Sequence, residues 1–241
     1  MIQIALALFF FFFSRSPASA NSFWEITHFQ SSLAIQPTGE VAIKETIDVD
    51  FNILEKHGIF RDIPITYQDQ DGKKTYTTIE VTSIKQDGTS AEYQITTNDN
   101  NLRVRIGHPD KIISGKHQYE ISYTATGILK SYGNSDELYW NITGNEWEAA
   151  IEKVTGIVTI PQEKIVQATC FEGYIGATTP CSLQNQTPTT VTFTNTRLLA
   201  ATEGLTIAVG YTPGIVPILS VPPPKTVEDD IVQTEKKRIE D

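Results

Sequence analysis

Residues 57–64, with the sequence His57-Gly58-Ile59-Phe60-Arg61-Asp62-Ile63-Pro64, form the stretch around which the rest of the chain is organised. These positions combine three apolar side chains, an opposite-charge pair, a conformationally permissive glycine and a proline whose φ angle is fixed. That composition predicts a segment whose backbone is held in one shape. The clearest strand of the sequence precedes it, and strand-like segments and turns follow it.

The segment from Val41 to Phe51 alternates apolar and polar residues with period two, which predicts a half-buried strand. Leu33 and Ile35 show the same alternation before the turn sequence Pro37-Thr38-Gly39-Glu40, so the two segments are expected to form a hairpin. The predicted inward face of the second strand contains Val41, Ile43, Ile47, Val49 and Phe51.

Short strand-like segments continue to residue 211, separated by turns rich in Gly, Pro, Asn and Asp. This spacing favours an all-β fold, an antiparallel β-sandwich with two sheets and at most one or two short helices. One helix is expected from Glu146 to Val154, because Trp147, Ala150, Ile151 and Val154 have helical spacing.

Three regions are predicted along the chain. Residues 1–20 have the features of a signal peptide: an apolar run from Ile2 to Phe13, then Ala18-Ser19-Ala20, which predicts cleavage after Ala20. Retention as an uncleaved anchor is the alternative. Residues 21–212 form the predicted β-sandwich domain, and residues 213–241 a proline-rich linker with a charged, mobile tail or short surface helix.

The charge of the chain bears on the class of partner that it can bind, and its cysteines bear on covalent cross-links. The chain has 29 acidic and 19 basic residues, a net charge of −10, and no basic stripe, so nucleic acid is not expected as a partner. In an exported chain, Cys170 and Cys181 are expected to form a disulfide. Two free thiols would require a reducing compartment, and a zinc site would require further ligands nearby.

His57, Arg61 and Asp62 are the first candidates for a functional site, since a histidine close to an aspartate can transfer protons. Arg61 and Asp62 are adjacent, however, and would point to opposite faces of an extended strand. We therefore favour structural roles, in which each residue binds another charged or backbone group that fixes the segment.

Trp140, Asn141 and Trp147 are the second set of candidates. Indole rings and amides in this short segment could form a carbohydrate-binding platform, or the two tryptophans could be core residues on either side of a tight turn. The histidines lack metal-ligand spacing, and motifs for a serine nucleophile or a phosphate loop are missing. We therefore predict no catalytic residue, metal or cofactor.

Several of these segments together resemble a known family. They are Arg61-Asp62-Ile63-Pro64, Tyr119-Glu120-Ile121-Ser122-Tyr123, Glu137-Leu138-Tyr139-Trp140-Asn141 followed by Gly144 and Trp147, and Thr169-Cys170-Phe171 with Gly173. Their order over residues 23–212 is similar to the bacterial predicted membrane proteins that carry domain of unknown function 2207, in particular the N-terminal extracytoplasmic domain.

The resemblance implies an exported β-rich domain, secreted or tethered at the outer face of the cytoplasmic membrane, and it implies no catalytic residues. Family members usually continue into membrane-spanning segments, so membrane association is expected from the family context. This chain shows no such span after the leader and ends at Asp241. It is either a short peripheral member or a sequence that stops before the anchor.

Three functions follow from these observations. The first is a non-enzymatic module that binds a protein or another cell-envelope component. The second is a carbohydrate-binding domain that uses exposed Trp140 or Trp147. The third is a hydrolase built on His57 or on a pair of carboxylates, which requires those groups to converge in a pocket.

Overall fold

The computed structural model describes residues 23–68, 72, 74–98 and 100–223. These residues contain strands and no helix, so the predicted all-β class is confirmed. The predicted leader with its Ala20 cleavage site and residues 224–241 of the predicted tail lie outside the described residues. In chain order the strands are β1 (Glu25–Ile35), β2 (Val41–Asp50), β3 (Ile59–Pro64), β4 (Thr66–Gln68), β5 (Lys74–Tyr76), β6 (Thr78–Gln86), β7 (Thr89–Ser90), β8 (Tyr93–Thr97), β9 (Asn101–Ile106), β10 (Lys116–Thr126), β11 (Leu129–Ser131), β12 (Asp136–Asn141), β13 (Ala150–Ile151), β14 (Val154–Thr159), β15 (Ile165–Gly173), β16 (Thr179–Pro180), β17 (Ser182–Gln186), β18 (Thr190–Thr194) and β19 (Gly204–Tyr211).

The predicted first hairpin is present. β1 and β2 pair antiparallel from Ile35 opposite Val41 to Glu25 opposite Asp50. The turn between them contains Gly39, which has a φ of +87° that favours glycine. Every predicted inward residue of β2 is buried, as alternation along a half-buried strand requires.

The strands form four hydrogen-bonded sheets, whereas the sequence predicts two. The largest has the order β17-β18-β14-β1-β2-β10-β6-β7, and β13 also pairs with β1. The second has the order β11-β12-β19-β15-β16, the third β3-β9-β8, and the fourth is the β4–β5 hairpin. All pairs are antiparallel except those of β1 with β13 and β14, which are parallel.

The predicted helix from Glu146 to Val154 is wrong. This segment consists of bends and the short strand β13, and it leads into β14. Trp147, Ala149 and Ile151 are buried, and Glu148 between the first two is exposed, which is the period-two pattern of an extended chain. Ala150, Ile151 and Val154 pair in parallel with β1, so tertiary context overrides the short helical pattern.

One hydrophobic core unites the sheets. The buried cluster takes side chains from the three larger sheets, among them Phe29 of β1, Ile63 of β3 and Trp140 of β12. A few buried polar residues interrupt this apolar interior, most notably Arg61 and Glu45. Buried charges require partners, so each of these two residues has to be paired inside the core.

Residues of the segment 213–221, which follows β19, still pack on the domain. Val216 is buried, and Val221 forms an isolated antiparallel bridge with Tyr76 of β5, although the sequence predicts a linker from residue 213. Within the part of the chain that the structure describes, no helix is long and apolar enough to cross a membrane.

Candidate functional site

Arg61 lies within the segment of residues 57–64 around which the chain is organised. It belongs to β3, and its side chain is buried against Glu45 of β2, in the largest sheet. Nε donates to Glu45 Oε2 at 2.8 Å and Nη2 donates to Oε1 at 2.7 Å. This two-bond geometry is the strong form of an arginine–carboxylate pair, and it joins two sheets.

The remaining guanidinium hydrogens bind backbone carbonyls. Nη1 donates to the oxygens of Asp62 and Thr143, each at 2.7 Å, and Nη2 donates to the oxygen of Ile142 at 3.0 Å. Ile142 and Thr143 directly follow β12 of the five-stranded sheet. One buried side chain therefore connects three sheets, with every one of its donors used.

Tyr123 of β10 completes this network, because its hydroxyl donates to Glu45 Oε1 at 2.7 Å. Burial raises the pKa of Tyr123 well above its ordinary value, and the Glu45 charge adds to this. Burial opposes the charge on Arg61, but Glu45 outweighs that effect and the pKa of Arg61 rises. Arg61 therefore stays charged and Tyr123 stays protonated near neutral pH, and neither group exchanges a proton there.

Sequence reasoning missed Glu45. The residue lies on the same face of β2 as Ile43 and Ile47, two positions from each, and a half-buried strand directs that face to the core. A carboxylate at an inward position requires a buried cation. The period-two pattern together with the invariably charged Arg61 could have identified the pair.

Asp62 points away from Arg61, as predicted, and binds Arg103 of β9 with oxygen–nitrogen distances of 2.8 and 2.9 Å. His57 is exposed, and its Nδ1 lies 2.9 Å from the carbonyl oxygen of Lys111. Because His57 and Asp62 bind separate partners, the structure does not bring the first candidates together into an acid–base pair.

The two tryptophans are core residues. Trp140 is fully buried and Trp147 is 4% exposed, so the hypothesis of a carbohydrate platform made from exposed indoles is wrong. Trp147 Nε1 donates to the Thr143 oxygen at 2.8 Å, and its ring packs edge-on against Phe29 at 6.2 Å. The segment turns inward because its carbonyls at Ile142 and Thr143 bind Arg61.

Asn141 shapes this turn. Its Nδ2 donates to Asn145 Oδ1 at 2.6 Å, and its Oδ1 accepts the Gly144 N–H at 3.0 Å. Gly144 has a φ of +73°, and a Cβ there would lie 2.8 Å from Arg61 Nη1. The Trp-Asn-x-x-Gly-x-x-Trp segment and the Arg-Asp-Ile-Pro segment therefore pack against each other and form one structural unit.

The predicted disulfide between Cys170 and Cys181 is present, with a Cα–Cα distance of 5.4 Å. Cys170 belongs to β15 of the five-stranded sheet, and Cys181 directly precedes β17, the edge strand of the largest sheet. Because Cys181 also directly follows β16 of the five-stranded sheet, the bond holds the chain where it passes from that sheet into β17, and it closes a loop that contains Tyr174 and Ile175.

A groove of about 1320 Å³ lies beside that loop. Its floor is one face of the five-stranded sheet, where Tyr139 is 41% exposed and packs edge-on against Tyr67 of β4. The β4–β5 hairpin forms one wall, and the loop with Tyr174 and Ile175, which are 60% and 83% exposed, lines another part. Exposed aromatic and aliphatic side chains are thus concentrated along a concave surface.

Four acidic residues line the groove; Glu146 is exposed, and the other three have structural partners or a setting that is unfavourable for charge. Asp62 is bound by Arg103, and Glu172 accepts hydrogen bonds from the backbone N–H and the hydroxyl of Thr196. Burial raises the pKa of Glu137, and nearby Lys130 opposes the effect. Among the described residues, no group of three or more His, Cys, Asp or Glu side chains is placed to hold a metal ion.

These features define an all-β, disulfide-bonded domain with a groove and a buried arginine network. A family model matches residues 25–211, the N-terminal domain of the predicted membrane protein family DUF2207. The chain belongs to this family, as the sequence resemblance implies. It is 28% identical over 130 residues to the uncharacterized protein YciQ of Escherichia coli K12, covering 53% of this chain and 21% of that protein.

Solved structures show a likeness of fold. Yeast LTA4 hydrolase in complex with bestatin matches with a TM-score of 0.50 at 13% identity, over 82% of this chain and 31% of that chain. An M1 zinc metallopeptidase from Deinococcus radiodurans matches with a TM-score of 0.47 at 13% identity, over 77% and 42%. The chain therefore spans less than half the length of each of these proteins.

Proposed function

We propose that this chain is the extracytoplasmic, non-enzymatic part of a membrane-associated protein and that its groove binds a segment of a partner polypeptide. The observation that carries the proposal is the groove of about 1320 Å³ with exposed Tyr139, Tyr174 and Ile175 along it. Small-molecule pockets usually have volumes of about 300–1,000 Å³, so the size favours a macromolecular segment.

The chain itself supports a polypeptide as the occupant. Residues 218–221 line the groove, and Val221 pairs with Tyr76 of β5 by a single antiparallel bridge. Extended backbone is thus already accommodated at this wall. Aromatic side chains are enriched at protein–protein contacts because they bury a large area at low entropic cost, which also fits a protein partner.

The disulfide supports the extracytoplasmic side. Disulfides persist in oxidising compartments and are rare in the cytosol, and family membership already indicates a predicted membrane protein. A hydrolytic alternative has less support, because the likeness to metallopeptidases concerns the fold and the buried acids of the groove bind structural partners.

Site-specific photo-crosslinking in cells tests the binding proposal. A photoreactive residue at Ile175 is expected to form an adduct with a discrete protein, whereas one at Ile53, which is 68% exposed and away from the groove, is expected to form none. Tyr139→Ala should abolish the Ile175 adduct without unfolding the chain. Equal labelling from both positions, or an adduct only with envelope polymer, would overturn the proposal.

Thiol alkylation of the chain in its native cell tests the compartment separately. We expect Cys170 and Cys181 to resist alkylation until a reductant is added. Immediate alkylation of both thiols in intact, unstressed cells would contradict the extracytoplasmic placement.

A further inference from the structure

β8 (Tyr93–Thr97) is an open edge of the three-stranded sheet. It pairs with β9 on one side, and no described strand pairs with the other side. All five residues are exposed, and the β8–β9 register runs without a shift from Tyr93 opposite Ile106 to Thr97 opposite Leu102. A continuous exposed edge of this kind is a template for another strand.

The ladder identifies the backbone groups that face outward. Gly107 N donates to Glu92 O at 2.9 Å, and Asn98 N donates to Asn101 O at 3.0 Å. Antiparallel ladders alternate, so the even-numbered residues of β8 bond to β9. The N–H and C=O groups of Tyr93, Ile95 and Thr97 therefore point away from β9.

β8 lacks the features that usually protect an edge. Its sequence, Tyr-Gln-Ile-Thr-Thr, contains no charge and no proline. β17, one edge of the largest sheet, differs because a register shift between Leu183 and Asn185 interrupts it. β16 has only two residues, and one of them is Pro180. β3, the other edge of the three-stranded sheet, contains Arg61, Asp62 and Pro64. Of these four edges, β8 is therefore the one without a charge, a proline or a register shift.

The two faces of β8 differ chemically. Tyr93 and Ile95 share a face with the buried Ile106 and Val104, but they extend beyond the core and are 47% and 40% exposed. A strand added at this edge would continue the pleat, so its side chains on this face would contact an apolar surface.

The other face carries two arginines of β9. Gln94 lies opposite Arg105, and Thr96 lies opposite Arg103. Asp62 neutralises Arg103, whereas Arg105 has no ion-pair partner among the described residues and its buried Nε has no hydrogen-bond partner there. In a chain with a net charge of −10, an unpaired arginine beside an open edge favours an acidic ligand.

We propose that β8 is a strand-addition site for an extended segment of a partner polypeptide whose apolar side chains alternate with acidic ones. The apolar side chains would pack on Tyr93 and Ile95, and an acidic side chain would reach Arg105. Main-chain hydrogen bonds to the free edge would supply much of the affinity, as in other β-augmentation complexes. No residue of β8 lines the groove, so this site is separate from the proposed groove function.

The test uses a displayed library of short random peptides selected on the whole chain. Thr97→Pro removes one outward N–H, and Thr97→Val retains it with a similar shape. Arg105→Gln removes the unpaired cation, and Lys153→Gln removes an exposed charge before β14 as its control. Circular dichroism and denaturation establish that each variant is folded.

We expect selected peptides to alternate apolar and acidic residues and to protect the amides of Tyr93, Ile95 and Thr97 from hydrogen exchange. Thr97→Pro and Arg105→Gln should each weaken binding by about tenfold, and the two controls should not. Failure to enrich peptides sensitive to Arg105→Gln would overturn the proposal. So would a dimer of this chain formed through β8, because the edge would then be occupied by a second copy.

Discussion

The carboxylate of Glu45 and the guanidinium of Arg61 share two hydrogen bonds, of 2.8 and 2.7 Å, at a place that solvent does not reach. β2 and β3 meet through this pair, and the carbonyls of Ile142 and Thr143 bring the end of β12 to the same guanidinium. The pair therefore specifies how three sheets come together. Breaking this buried pair is expected to cost more stability than breaking a surface ion pair.

Glu45→Gln is expected to lower the free energy of unfolding by about 3–5 kcal/mol, because it leaves the buried Arg61 charge without a counterion. Urea denaturation measures the loss. Glu120→Gln is the control: it breaks a more exposed ion pair with Lys44 and should cost less than about 1 kcal/mol. The double change Glu45→Leu with Arg61→Met should recover part of the loss, and equal costs for the two glutamates would contradict this account.

Replacement of Cys170 and Cys181 by serine is expected to lower the free energy of unfolding by about 2–3 kcal/mol, since the bond closes a short loop of the unfolded chain. Chemical denaturation with and without reductant measures this. Reductant should lower the stability of the unmodified chain toward that of the double variant and leave the variant unchanged. An insensitive native chain would show that the bond contributes nothing.

Gly58→Ala is expected to destabilise the fold by more than about 2 kcal/mol. Gly58 has a φ of +137°, and a Cβ there would lie 1.8 Å from the backbone oxygen of Ile106. Gly88→Ala separates the two effects, because Gly88 also has a positive φ of +76° but has no atom within 4 Å of the added carbon. If thermal denaturation gave the same loss for both variants, the close approach at Gly58 would be irrelevant.

Acid is expected to lower the stability of the loop between β18 and β19, because Glu203 becomes protonated. The hydrogen bond from Arg197 lowers the pKa of Glu203, with burial opposing and the Ala200 N–H assisting. A lowered carboxyl pKa contributes stability above the unfolded value of about 4.5, and that stability is lost as the pH falls through the folded value. Stability measured from pH 7 down to pH 3 should therefore fall more for the native chain than for Glu203→Gln. Parallel curves would contradict this role.

Local sequence patterns predicted the parts of the fold that depend on neighbouring residues. Period-two alternation identified β2, the Pro-Thr-Gly-Glu turn identified its hairpin with β1, and the two cysteines identified the disulfide. Each of these signals lies within a few residues or follows from the expectation that the chain is exported. The adjacency of Arg61 and Asp62 also predicted that they serve different structural partners.

The remaining features depend on residues far apart in sequence. The helical spacing of residues 146–154 was misleading, because parallel pairing with β1 determines their conformation. The local sequence around Trp140 and Trp147 does not determine whether their rings are buried or exposed. The groove arises where the β4–β5 hairpin, β12 and the loop near Tyr174 converge, and no single segment encodes it.

The parallel pairing of β1 with β14 has a consequence for how the chain reaches its native state. Phe29 lies beside Val154, a partner about 125 residues further along, whereas its other neighbour Ile47 arrives early from the adjoining hairpin. Such non-local pairing slows folding, since a long loop must close before the contact forms. During synthesis, one side of β1 therefore stays unpaired until more than half of the polypeptide has followed it. In that interval a chaperone would find an accessible β-strand.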